Sequence, residues 1–386
     1  MSRRMSQLHA AVIGPGFMGG VHIDALRRLG VTVQGLLGET YEEAAASAAA
    51  DGVATIYHDL DELAGDDKVD VVHITTPNFL HAQQALAMLK AGKNVICEKP
   101  LALTLAEAGE MVQAAQKSGL IAAINFNSRF YPMVAQARAL AQSGRIGAVR
   151  LIMGSVLQDW LALETDWSWR VEPELGGRSR AVSDIGSHWT DLAEWVSGER
   201  IVQVFGDLAT FIPVRQRPLG VTQTFEQAMG PTESVTIRTE DAGLVLARFA
   251  SGARGQMTVS QVSQGHNADM SYEMSGSKGS LAWRSSEPED LWIGHRGTAS
   301  ELLRRNPAYM SSAPAGWLPA GHMEGYADAI RAFFQEFYSD VLAGFPSLGH
   351  QYATFTDGLR AMQIEDAVIA SVQSGTWATV KAGTVE

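Results

Sequence analysis

One cysteine in 386 residues leaves no intramolecular disulfide and no cysteine-rich metal site. Basic residues are in deficit, 30 Lys and Arg against 42 Asp and Glu, for a formal charge of −12. That balance, with no basic run, argues against nucleic acid and against an anionic membrane surface as partners. No apolar stretch approaches a membrane span, and the polar start Met1-Ser2-Arg3-Arg4-Met5-Ser6-Gln7 has no signal-peptide core. The expectation is a cytoplasmic protein without a metal. The bulk of the chain is ordinary, 46% hydrophobic and 19% charged, with length for two or three domains and a sizeable core. Repeats and low-complexity segments are absent.

The first motif follows a short apolar strand at 9–13. Gly14-Pro15-Gly16-Phe17-Met18-Gly19 then opens a helix at 20–29, which is G-x-G-x-x-G in a strand–turn–helix setting. Gly14 allows the tight turn, Gly16 admits a pyrophosphate to the backbone, and Gly19 lets helix and strand pack closely. Phosphates would sit on the helix N-terminus, where free N–H groups and the dipole favour an anion. Glu39 stands just past the next strand (31–37), where an acid takes the adenosine ribose hydroxyls. Glu39, Glu42 and Glu43 would repel a 2′-phosphate, which favours NAD over NADP. Glu42 and Glu43 also suit the first turn of a helix at 41–50.

Alternation continues with a strand at 69–74, the turn Thr75-Thr76-Pro77-Asn78, and a helix at 79–90. The run Asn94-Val95-Ile96-Cys97-Glu98-Lys99-Pro100-Leu101 comes next. It reads as a buried parallel strand with a charged pair at its carboxyl end, terminated by a proline that cannot donate a backbone hydrogen bond. Ligands of open α/β sheets gather beyond that edge, so Lys99 is a candidate for chemistry; the alternative is a solvated strand end. Cys97 suits a small buried hydrophobe better than a reactive thiol. A helix at 104–118 and a strand at 121–126 complete a doubly wound parallel sheet.

The Gly14–Gly19 loop, the Thr76-Pro77-Asn78 turn followed by His81, and Glu98-Lys99-Pro100 come in the order that marks a family. Together they resemble the Gfo/Idh/MocA oxidoreductases, which include glucose–fructose oxidoreductase and inositol dehydrogenases. The similarity covers the whole chain, most sharply residues 9–130 and 158–195. It implies that the threonine–proline–asparagine turn borders the nicotinamide and that Lys99 lies in the active site. The cofactor contacts then expected are Gly14, Gly16, Phe17, Met18, Glu39, Thr75, Thr76, Pro77, Asn78, His81, Glu98, Lys99, Asn127, Trp169 and Arg170.

The middle of the chain supplies the substrate side. Arg129 either pairs a carboxylate elsewhere in the fold or contacts substrate. Gln158, Asp159, Trp160 and Trp167 belong to a stretch in which four of the nine tryptophans fall between Trp160 and Trp189. Flat apolar walls interspersed with Asp, Gln and Arg suit a sugar or polyol, or else the tryptophans fill an interface. Asp184, His188 and Asp191 share one face if the segment is helical, and an acid orients an imidazole. This Asp-x-Gly-x-His-x-x-Asp stretch is similar to the family's second diagnostic motif, whose Asp and His accompany the lysine.

The expected fold is α/β: a Rossmann domain at 1–128, then an α+β domain at 129–386 with a large, mostly antiparallel open sheet for substrate binding and oligomerisation. Strands are expected at 149–158, 201–211, 233–240, 243–249, 255–263, 270–275 and 280–283, long loops at 216–230 and 295–321, and helices at 326–342 and 355–374. An open sheet face favours a homodimer or homotetramer. The expected chemistry is hydride transfer between a secondary hydroxyl of a sugar, glycoside, anhydrosugar or cyclitol and nicotinamide. His188, supported by Asp184, takes the hydroxyl proton and Lys99 steadies the oxygen, or Lys99 is itself the base. A glycosidase working by transient oxidation and elimination, and a non-catalytic NAD-binding regulator, are the competing readings.

Overall fold

The computed structural model describes residues 4–220, 230–312 and 316–381. The chain divides into two compact units. One runs up to Asn127 and takes back Ala327–Leu359; the other holds Ser128–Tyr326 and the chain from Arg360 onward.

Six parallel strands form the first unit's sheet: β1 (His9–Ile13), β2 (Thr32–Leu37), β3 (Thr55–Ile56), β4 (Val71–Ile74), β5 (Asn94–Cys97) and β6 (Ala122–Ile124). Helices α1 (Phe17–Leu29), α2 (Tyr41–Asp51), α3 (Leu60–Gly65), α4 (His81–Lys90) and α5 (Leu105–Ser118) alternate with them. Every residue of β4 is buried, as a parallel strand covered on both faces requires. Local chemistry sets the helix ends: Thr104 caps α5 in a capping box with Glu107, and left-handed Gly119 closes it. Strand order is β3-β2-β1-β4-β5-β6, so direction reverses between β1 and β4, where a crevice opens beyond the carboxyl ends.

The second unit contributes α6 (Pro132–Gln142), β7 (Val149–Leu157), α7 (Pro173–Gly176) and α8 (Ser187–Ser197). It continues through β8 (Ile201–Ala209), β9 (Val214–Pro218), β10 (Thr232–Thr236), β11 (Ala242–Phe249), β12 (Arg254–Ser260), β13 (Asp269–Gly276), β14 (Ser280–Arg284), β15 (Asp290–Gly294) and β16 (Glu301–Arg304). After α9 (Tyr326–Ala343) and α10 (Phe355–Ser374) comes β17 (Ala378–Thr379). Nine strands pair as β16-β15-β14-β13-β7-β12-β11-β8-β17, antiparallel except for β7 beside β12. Burial alternates strictly along β13, and α8 with the turn before it packs on β7, β12 and β13. The opposite face leaves Leu151, Leu244, Leu246, Trp292 and Leu302 exposed.

Three expectations need correction. The 216–230 loop begins as strand, because β9 pairs with β10 in a separate hairpin; residues 221–229 lie outside the described residues. The 295–321 loop contains β16, which with β15 extends the sheet; a four-residue charged edge strand carries little period-2 signal, and 313–315 lie outside the described residues. Segment 327–359, expected in the second domain, packs with the first unit. The reason is its aromatic stripe: Phe333, Phe334, Phe337 and Tyr338 are fully buried, and Ala353 accepts from the Ile124 amide at the edge of β6. Among the described residues no helix is long and apolar enough to cross a membrane.

Candidate active site

The glycine loop and the turn after β4 are built against each other. Gly14 has φ +89°, and a Cβ on it would meet Thr75 and Thr76 at 2.9 Å. The Thr75 hydroxyl reaches the Gly14 carbonyl at 2.6 Å and the Ile13 carbonyl at 2.9 Å. A Cβ on Gly19 would lie 2.4 Å from the Gly14 oxygen, so helix and loop touch through bare backbone. Gly16 faces open space at the head of α1, which starts at Phe17, three residues earlier than expected. Phe17 and Met18 thus open the first turn, at the end where the helix dipole favours an anion. Beyond β2, Glu39 is exposed. Glu43 is committed locally, accepting from the Glu39 amide at 3.0 Å and donating to the Thr40 hydroxyl at 3.1 Å.

His81 links this turn to the lysine strand. Its ring is fully buried, with Nδ1 2.8 Å from the Pro100 carbonyl and Nε2 2.9 Å from the Thr76 carbonyl. Burial holds it below the ordinary histidine range, so at neutral pH it donates to one carbonyl at a time. His81 therefore fastens two turns together rather than presenting itself to a cofactor. The Thr76 hydroxyl is braced on Gln84 at 2.6 Å, beside buried Asn78.

Glu98 is likewise turned inward. Its Oε1 accepts from His22 Nε2 at 3.0 Å and Asn125 Nδ2 at 2.5 Å, and its Oε2 from the Lys99 amide at 3.3 Å. Burial pushes this carboxyl up, but the bond and charge of His22, the Lys99 charge and Asn125 outweigh it and hold it at about 2. An anion is thus fixed beneath Lys99, which is half-buried at the sheet's carboxyl edge and joined to Pro100 by a cis peptide. Just past β6, Asn125 Oδ1 and Asn127 Nδ2 are buried without a hydrogen-bond partner, an unused acceptor and an unused donor. Cys97 is fully buried and its thiol is pushed well up by burial, as expected of an inert core residue.

In the second unit Arg170 is the hub. Its guanidinium lies 4.3 Å from the Trp169 ring and 6.0 Å from that of Trp160, and Nε reaches Asp184 Oδ1 at 3.3 Å. The other oxygen of Asp184 accepts from Gln261 Nε2 at 2.8 Å. Asp184 sits in a π-helical turn (Val182–Gly186) and His188 in α8, so the even α spacing expected of them is broken by one wide turn. Trp160 donates to Gln158 at 2.7 Å, and it packs with Trp167 on Leu161, Val171 and Ile237. These tryptophans are therefore partly filler. Asp159 holds the Gly265 amide at 3.0 Å. Arg129 takes the first of its two alternatives: buried, it forks onto Asp191 at 2.9 and 2.5 Å, and is corrected from substrate contact to structural pair.

Glu365, on α10, bears on the same turn. Its carboxyl is raised to about 8 by burial, opposed by a hydrogen bond to Ser183 and reinforced by Glu240. The folded protein thus holds a proton that the unfolded chain releases above the ordinary carboxylate range, so stability falls as pH rises towards 8. Glu365→Gln removes that slope: melting scans show the variant a few degrees more stable than the parent above pH 8 and no more stable near pH 5. Parallel curves across that range would show that Glu365 ionises freely.

Sequence reasoning missed His22, His73, Asn125, Gln261 and Tyr338. His73 had a signal, since a histidine inside the apolar run Val71–Ile74 must find a partner. Tyr338 had none.

Residues 8–126 match the model of an oxidoreductase family with an NAD-binding Rossmann fold, and residues 134–282 match the GFO/IDH/MocA C-terminal domain. The chain belongs to the Gfo/Idh/MocA oxidoreductase family. It is 30% identical to levoglucosan dehydrogenase of Pseudarthrobacter phenanthrenivorans over 97% of this chain and 99% of that protein. It is 29% identical to 1,5-anhydro-D-fructose reductase of Ensifer adhaerens, over 94% and 95% respectively. A solved levoglucosan dehydrogenase in complex with NADH and levoglucosan superposes with a TM-score of 0.87, 28% identity and coverage of 97% and 100%. NAD fits the first unit of this oxidoreductase on its own terms: an uncovered Gly16, a helix N-terminus, an exposed Glu39 past β2, and two orphaned amide atoms just past β6.

Proposed function

We propose that this enzyme oxidises a secondary hydroxyl of a sugar, anhydrosugar, glycoside or cyclitol, with NAD as acceptor. The single observation that carries the reading is the lacing of the glycine loop, the Thr75–Asn78 turn and Glu98-Lys99-Pro100 into one carboxyl edge by Thr75 and His81. The first-named relatives, a levoglucosan dehydrogenase and an anhydrofructose reductase, support the substrate class. Bound NAD supplies the hydride acceptor. Lys99 donates a hydrogen bond to the reacting oxygen and steadies the charge that develops there. His188 takes the hydroxyl proton as general base. Asp184 holds Arg170 and Gln261 in place beside the Trp160 and Trp169 rings, a wall with polar edges of the kind a pyranose ring needs.

The test is a screen of levoglucosan, 1,5-anhydrosugars, glucosides, monosaccharides and inositols, followed by NADH absorbance with NAD and NADP in parallel. A carbohydrate oxidised with NAD at least about tenfold more efficiently than with NADP is expected, since the Glu39 region has no cation to meet a 2′-phosphate. Turnover with none of these compounds would end the reading. The exposed leucines and Trp292 on the second unit's sheet support a homodimer or homotetramer, which light scattering measures as a mass above that of one chain.

A further inference from the structure

Four polar side chains stand in file through the interior of the first unit. His22 on α1, His73 in β4 and Tyr338 on α9 are fully buried, and they join end to end to Glu98. His22 Nε2 lies 3.0 Å from Glu98 Oε1, His22 Nδ1 lies 2.9 Å from His73 Nδ1, and His73 Nε2 lies 2.8 Å from the Tyr338 hydroxyl. Phe334 seals the file, its ring 4.9 Å from His22 and 4.8 Å from His73. Asn125 and the Lys99 amide also face Glu98, and Asp70 acts on Tyr338 from the other end.

The proton positions follow from what each atom can do. An ionised carboxylate only accepts, so His22 carries its proton on Nε2. His22 and His73 share one proton between their Nδ1 atoms, and His73 Nε2 shares the next with the Tyr338 hydroxyl. Burial first, and the neighbouring His22 second, hold His73 well below the ordinary histidine range, in keeping with a neutral ring.

We propose that His22, His73 and Tyr338 are positioning residues for Lys99: three hydrogen bonds in file fix the Glu98 carboxylate, and Glu98 fixes the lysine's backbone at the sheet edge. The inference rests on the reading of Lys99 given above. The file holds a geometry and does not conduct protons, because a carboxyl held at about 2 is a poor stopping place for a proton at neutral pH. It also gives α9, which arrives from far along the chain, a direct mechanical hold on the Glu-Lys-Pro strand.

Long-range proton–nitrogen NMR of the full-length enzyme with labelled histidine reads the tautomers without any cofactor. A proton on His22 Nε2 is expected at neutral pH; an Nε2 without one overturns the proposal. In kinetics on the best substrate of the screen, His22→Leu lowers kcat about tenfold or more while KM for NAD stays within about threefold. His22→Gln, which keeps an N–H at the ε position, recovers most of that loss, and Tyr338→Phe moves kcat in the same direction by less. Variants that lose thermal stability but keep kcat would reduce the file to a structural role and overturn the inference. If Lys99→Ala itself keeps normal turnover, the reading of Lys99 fails separately, and the tautomers still decide whether Glu98 is held as described.

Discussion

Lys99→Ala lowers kcat on the true substrate about 10²–10³-fold while the dissociation constant for NAD changes by less than about threefold. Lys99 follows β5 at its carboxyl edge beside a buried, ionised Glu98, and alanine removes the donor proposed for the reacting oxygen. His188→Ala is expected to cost a comparable factor by removing the proton acceptor. Stopped-flow NADH formation measures both. Near-normal turnover in either variant removes that residue from the chemistry.

Asp241→Ala destabilises the second unit by about 3–5 kcal/mol, read as a shift of the urea midpoint. One fully buried carboxylate faces two fully buried guanidiniums. Arg215 reaches Asp241 at 2.8 Å and also binds the carbonyls of Leu161 and Leu163 at 2.8 Å; Arg180 bonds the same Asp241 oxygen. Asp241 is held below the usual carboxylate range, with burial opposed by the Ile212 amide and both arginines. Without it two buried guanidiniums lose the carboxylate they share. The loss spreads to function. Arg215 carries the loop that bears Trp160 and Trp167, and Arg180 begins the turn that bears Asp184. Asp241→Asn, which keeps one acceptor, falls between parent and alanine variant. An alanine variant within about 1 kcal/mol of the parent would show that the arginines find water instead.

Much of this architecture was legible from short windows of chain. Gly14 needs a left-handed backbone, Gly19 needs a missing Cβ, and Thr104, Glu107 and Gly119 cap a helix within their own turns. Such features reach no further than a few residues, so sequence shows them. The edges of the second sheet were hidden for the converse reason: β16 is short and charged, and only pairing with β15 makes it a strand. Glu98 and His81 were expected at the cofactor because they stand in motifs that border it. Their side chains instead point into the protein and hold those motifs together.

The amino-acid pattern alone determined that an NAD-binding sheet comes first and that a lysine follows one of its buried strands. Backbone freedom, periodicity and charge at single positions are properties a sequence carries openly. Tertiary structure decided what those residues touch: Arg129 on Asp191, Asp184 on Arg170 and Gln261, Glu98 on His22. It also decided that α9 belongs with the first unit, through a tyrosine hydroxyl 265 residues away from the histidine it bonds. A buried polar atom must be satisfied by whatever the fold brings within about 3 Å, and nothing in a linear sequence records which residue that will be.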